Sequence, residues 1–268
     1  MRIVAELAYK GTAYRGWQVQ RNTSQTVQQI VQDRLQILLR HEVKVVAAGR
    51  TDAGVHAAQN FIHFDTPQIL PEDALRRINF LLPADISFYG FYAVTDDFHA
   101  RFDAVSRTYH YFISYQKNPL YGDLVCYYPY AQLDLDRLNE AAHIFLQHEE
   151  FAAFSKKRTQ VRTTRCRLSQ AEWFWSADQR LLVFCVTADR FLRGMVRGLV
   201  ATSIRYARGK LSRQQLLELL HRAKANRTDF SAPAQGLILS RVCYNRPMQL
   251  LHGQASSSSR LAFIPFKS

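Results

Sequence analysis

Alternation of apolar and polar residues in steps of two recurs along this chain, broken by stretches with three- and four-residue spacing. That mixture limits the fold more than any other feature of the sequence. Residues 2–9 set Ile3, Ala5, Leu7 and Tyr9 on one side and Arg2, Val4 and Glu6 on the other, the pattern of a strand. Strand patterns return at 41–48, 59–65, 86–94, 106–113, 165–175, 181–187 and 237–244. Helical spacing marks a run from Thr23-Ser24 to Leu38, with one of those two hydroxyls as N-cap. Further helices are predicted over 71–82, 134–147, 191–206 and 213–225. Strands adjoin in hairpin-like pairs and the helices stand apart. The expected class is therefore α+β with a mainly antiparallel sheet, not a doubly wound parallel fold.

The 268 residues suffice for one large domain or two ordinary ones. Thirty-five Lys and Arg face 22 Asp and Glu, a formal charge of +13. Such an excess points to a polyanionic partner such as nucleic acid. The four cysteines, at 126, 166, 185 and 243, have neither C-x-x-C nor zinc-finger spacing, so they read as scattered reduced thiols. No phosphate-binding loop of the G-x-x-x-x-G-K-[ST] type and no G-x-G-x-x-G is present, which removes support from nucleotide-cofactor chemistry. There is no apolar leader and no run of about 18 apolar residues, so the expectation is a protein neither secreted nor membrane-spanning.

Chemistry concentrates in Gly49-Arg50-Thr51-Asp52-Ala53-Gly54-Val55-His56-Ala57, a polar loop between two strand patterns. It offers a carboxylate, a guanidinium, a hydroxyl and an imidazole on a segment flanked by rigid elements. Two readings of this loop stay open on composition alone, a catalytic one and an ordinary glycine turn. A second group is Phe98-His99-Ala100-Arg101-Phe102, a charged and aromatic connector. Strand periodicity puts Arg107, Tyr109 and Tyr111 on one face, a stripe suited to grip RNA, with core packing of the two tyrosines as the alternative. Residues 154–165 hold five cations and no acid, among them Lys156, Lys157 and Arg158, as a phosphate-tracking patch would. Arg15 lies in a glycine-containing segment rich in aromatics and amides.

Taken together these blocks resemble one family. Tyr9-Lys10-Gly11-Thr12-Ala13-Tyr14-Arg15-Gly16-Trp17-Gln18-Val19-Gln20, the Asp52 nonapeptide, Phe98–Phe102, Arg107-Thr108-Tyr109-His110-Tyr111, Phe191–Arg197 and Ala232–Leu237 follow in the order found in tRNA pseudouridine synthases of the A type. The resemblance spans about residues 3–245. Lys10 stands where the family usually has an acid, and Arg193-Gly194 replaces a commoner polar pair.

The resemblance implies a cytoplasmic, cofactor-free and metal-free isomerase. Such an enzyme converts uridines 38, 39 and 40 of the tRNA anticodon stem-loop to pseudouridine, and works as a homodimer. It implies Asp52 as nucleophile, Arg197 as its ionic partner, and Tyr109 as the residue that stacks on the target base and serves a later proton step. Arg50, Phe98, His99, Ala100, Arg101, Phe102, Arg15, Lys156, Lys157 and Arg158 are then the candidate substrate contacts. The implied architecture has two RNA-recognition-like domains, 1–103 and 104–246, around a central basic cleft, with a flexible tail over 247–268. Two other readings of the same residues are an RNA-binding protein without catalysis, and a hydrolase using Asp52 with His56.

Overall fold

The computed structural model describes residues 1–156, 163–221 and 228–254. In chain order the elements are β1 (Arg2–Tyr9), α1 (Val27–Leu39), β2 (Val46–Ala47), β3 (His56–Asp65), α2 (Ala74–Leu81), β4 (Ile86–Val94), β5 (Ala104–Ser114) and β6 (Cys126–Tyr127). Then follow α3 (Leu135–Leu146), β7 (Leu168–Trp175), β8 (Leu181–Ala188), α4 (Met195–Ala207), α5 (Arg213–His221), β9 (Leu237–Tyr244) and β10 (Gln249–Gly253). This is an α+β chain whose strand pairs are nearly all antiparallel; the short β5–β6 pair is parallel.

The described residues fall into two compact units. The first comprises Met1–Val105 and residues 239–254, and its strands run in the order β10-β4-β1-β3-β9, with β2 on β3. β1 is central, flanked antiparallel by β3 and β4. Its alternation predicts one wet face, but Val4 and Glu6 are as fully buried as Ile3, Ala5 and Leu7. The Glu6 carboxylate is tolerated there because Gln59 Nε2 and Tyr92 OH donate to it at 2.9 and 3.0 Å. Helix α2 packs on β4 through Ala74 and Ile78.

The second unit, Ser106–Ile238, has the strand order β5-β8-β7 with β6 on β5. Helix α3 packs against β7 and α4. Asp134 caps α3 by accepting from the Asp136 and Arg137 N–H groups.

Several boundaries differ from the sequence reading. Helix α1 is capped by Thr26, whose side chain accepts from Gln29 N–H at 3.3 Å; Thr23 Oγ1 instead closes a turn by accepting from Gln25 N–H. Within 41–48 only Val46–Ala47 pairs as a strand. Helix α4 begins at Met195, because Gly194 at φ 77° breaks the helical path. Arg193 therefore precedes the helix and shares no helical face with Arg197. The stretch read as a tail from 247 opens with β10, antiparallel to β4. Two leucines among polar residues gave it no visible period. No helix is long and apolar enough to cross a membrane among the described residues.

Candidate active site

Asp52 opens a tight turn in which Val55 N–H reaches its carbonyl at 3.1 Å. Gly54 holds the third turn position at φ 77°, where a side chain would be strained. Asp52 itself is half-buried. The loop rests on the segment that follows β1. Trp17 N–H donates to Thr51 O at 3.0 Å. A Cβ on Gly11 would stand 2.0 Å from Val55 O, and one on Gly16 2.9 Å from Thr51 O. Those glycines are there because backbone meets backbone. Their neighbours Tyr14 and Trp17, aromatics of the same segment as Arg15, are buried behind the loop.

From below, a buried polar clamp fixes the loop. Asn60 is fully buried in β3. Its amide donates to Gly49 O at 3.0 Å and accepts from Gly49 N–H at 3.3 Å. Tyr9 OH and Thr51 Oγ1 share a hydrogen bond of 2.9 Å. His56 Nδ1 accepts from Gly11 N–H at 3.0 Å, so this nitrogen serves the scaffold. The sequence reading passed over Tyr9 and Asn60. A buried asparagine inside an apolar strand is a signal that could have marked Asn60, since the residue is depleted from strands.

The segment 98–103 splits into inward and outward residues. Phe98 and Ala100 have no exposed surface. Phe98 packs on Tyr244, and Ala100 is pinned by its N–H to His63 Nδ1 and its carbonyl to Tyr244 OH. Both side chains belong to the core of the first unit. His99, Arg101 and Phe102 face outward. The Phe102 ring is 73% exposed yet stacked on His99 at 4.2 Å, with the Arg101 guanidinium 5.6 Å from its centroid. These residues and Arg50 line a pocket of about 230 Å³ backed by Trp17 and Val45. Burial, and then the charge of Arg101, pull the Arg50 guanidinium below its ordinary pKa. His63, behind the segment, is pulled down to about 4 by burial and then by the charge of Arg2. Arg15 is exposed, and its carbonyl accepts from Gln20 Nε2.

Tyr109 and Arg197 belong to the second unit. Tyr109 is largely buried, its ring edge-on to Phe191 at 5.1 Å. Tyr111, on the same strand face, is fully buried and donates to Pro233 O; Arg107 is nearly so and donates to Asp189 O. Core packing, the alternative weighed for the two tyrosines, fits the burial of both, Tyr111 more completely than Tyr109. Arg197, in the first turn of α4, donates through Nε to Ala232 O at 2.6 Å and through NH2 to Phe230 O at 3.0 Å. Two carbonyls therefore orient the guanidinium. The Lys156 ammonium lies 5.7 Å from the Phe230 ring centroid. Lys157 and Arg158 lie outside the described residues. No group of three or more His, Cys, Asp or Glu is placed to hold a metal ion among the described residues.

A family model described as tRNA pseudouridine synthase matches residues 5–103 and 141–245. A tRNA pseudouridine synthase A of Porphyromonas gingivalis is 44% identical over 246 residues, covering 91% of this chain and 97% of that protein. Its counterpart from Bacteroides thetaiotaomicron is 42% identical over 261 residues, with 97% and 96% covered. The like-named protein of Staphylococcus saprophyticus is 34% identical over 254 residues, with 94% and 93% covered.

Proposed function

The chain belongs to the tRNA pseudouridine synthase family, and on that premise we propose that it isomerises uridines 38, 39 and 40 of the anticodon stem-loop with Asp52 as nucleophile. The observation that carries the site is the Asp52 loop. A half-buried carboxylate sits at the start of a turn whose backbone is held on both sides.

The reaction neither adds nor removes atoms. The N1–C1′ bond breaks, the base turns, and C5 joins C1′ while the C5 proton leaves and N1 gains one. A carboxylate assists by attack at C1′, by addition at C6, or by taking a ribose proton, and each course starts from ionised Asp52. An adjacent guanidinium favours that ionised form in a closed site. Arg197 has the oriented donors for this part, and Arg50 is left to hold RNA. Tyr109 stacks on the extruded uracil, offsetting part of the unstacking cost of a few kcal/mol, and is placed in the role of moving the C5 proton. Arg15, Lys156, Lys157 and Arg158 contact phosphates, giving affinity with little sequence readout.

Each unit acts as an RNA-recognition-like domain, in a cytoplasmic homodimer that needs no cofactor. The hydrolase alternative loses support from His56, whose Nδ1 is engaged by Gly11 N–H.

The test is pseudouridine mapping on a tRNA transcript incubated with purified protein. Substrate mass stays unchanged and modification appears at 38–40. Asp52→Asn abolishes it, a loss of at least about 10³-fold, while tRNA binding persists. Free uracil, or normal turnover by Asp52→Asn, would sink the assignment.

A further inference from the structure

Arg246, just after β9, is tied to the segment that carries His99, Arg101 and Phe102. Its NH1 donates to Asp103 Oδ2 at 2.8 Å. Its NH2 donates to Thr95 Oγ1 at 2.9 Å and to the two carboxylate oxygens of Asp97 at 2.8 and 2.9 Å. The guanidinium also lies 5.6 Å from the centroid of the Phe98 ring. One side chain thus gathers four residues of a single segment, 143 to 151 positions back along the chain. These partners do not weigh equally. The Asp97 side chain is 74% exposed, where an ion pair adds little. The Asp103 side chain is only 22% exposed and has a second partner. The Oδ2 that takes the Arg246 bond also accepts the His99 N–H at 2.9 Å, and Asp103 N–H donates to His99 O at 2.9 Å. Those two bonds close a turn over 99–103, with Arg101 and Phe102 exposed at its tip. Arg246 balances the charge at the point where the turn closes, and its planar fork sets the direction of that carboxylate. Arg246 stands one residue past the span matched by the family model.

We propose that Arg246 is a positioning residue for substrate binding: through Asp103 it fixes the turn that presents Arg101 and Phe102 to tRNA. The inference rests on the reading of those two residues as substrate contacts. It gives Arg246 no contact with RNA of its own. The partners named above lie in segment 95–103 and not in the Asp52 loop, so the effect falls on affinity and not on the chemical step.

The test measures tRNA affinity by direct binding, and kcat for pseudouridine formation at saturating tRNA, with the full-length protein. Arg246→Gln weakens binding roughly tenfold, the worth of one stacked base, and leaves kcat within about twofold of wild type. Arg246→Lys binds as weakly, because it keeps a charge for any phosphate but loses the fork. In an Arg101→Gln, Phe102→Ala background, Arg246→Gln changes affinity less than about twofold, since the groups it positions are gone. Thermal unfolding checks that each variant is folded. Wild-type affinity of Arg246→Gln overturns the proposal. Affinity restored by Arg246→Lys would mean a direct phosphate contact, and a parallel fall in kcat a general structural role; either overturns it as well. An undiminished cost of Arg246→Gln in the doubly changed background removes the positioning role alone and leaves Arg101 and Phe102 as contacts. Wild-type affinity of the Arg101→Gln, Phe102→Ala protein removes the substrate-contact reading itself, and the positioning role with it.

Discussion

The Asp52 loop rests on close main-chain contacts along its length, whereas the neighbouring segment 98–103 is anchored at alternate residues, through the buried Phe98 ring and the main chain of Ala100. In the first, Gly11, Gly16 and Asn60 touch main-chain atoms of residues 49–55, and the loop's own Thr51 and His56 side chains tie it to Tyr9 and Gly11. In the second, Phe98 and Ala100 are sunk in the core, Asp103 is tied to Arg246 at 2.8 Å, and His99, Arg101 and Phe102 are left at the surface. A backbone-held loop fixes one atom position closely and tolerates little change. A segment anchored at alternate residues lets its outward residues change without moving the anchors. The difference matches the division of labour proposed here, chemistry on one and grip on the other.

The hardest blow to the backbone-held side is Gly11→Ala. Its Cβ would lie 2.0 Å from Val55 O and 2.7 Å from Val55 C, both main-chain atoms with no rotamer to give way. The expected cost is about 2–3 kcal/mol, read as a lower Tm, together with loss of pseudouridine formation. A variant with normal turnover would show that the loop does not depend on this contact.

Asn60→Leu comes next. It keeps the volume but strips two partners from Gly49, costing roughly 1–3 kcal/mol. Turnover should fall more than tRNA affinity does, because the loop moves while the phosphate contacts stay. If affinity falls and kcat does not, the two regions are not separable in this way.

The smallest effect concerns the other side and is a pH dependence. His63 accepts the Ala100 N–H and has a folded pKa of about 4 against an ordinary 6.5. The unfolded chain takes up this proton as pH falls below 6.5, and the fold resists it until about 4. Stability therefore declines from pH 6.5 down to 4 and is fully present above that window. His63→Asn should flatten the decline in Tm over this range, while His110, also lowered to about 4 by burial, keeps a share of it. An unchanged slope would show that His63 is not the desolvated group that anchors the segment.

Much of this was legible in the sequence where one physical rule acted alone. Strand period and helical spacing located β9 and α3 at their observed bounds to within a residue. The Asp52 loop stood out for its cluster of chemical groups, but composition left an ordinary glycine turn open, and only the family resemblance singled out the carboxylate. Legibility failed where partners come from far along the chain. Nothing near Phe98 says that Tyr244 and Arg246 lie against it. Nothing near Val4 says that β1 is central, and so buried on both faces. The start of α4 was misplaced because Phe191 and Leu192 continue the helical spacing, and only the positive φ of Gly194 reveals the break.

Strand β10 carries a consequence for handling the protein. It lies along β4, a nine-residue strand bearing Phe88, Phe91 and Tyr92, and its register slips between Leu250 and His252. In that position it shields the main-chain donors and acceptors of a long aromatic strand behind a short, irregular one. Ending the polypeptide before Gln249 would turn β4 into an open template to which a second molecule could add a strand, so self-association, rather than lost chemistry, is the hazard of trimming this end.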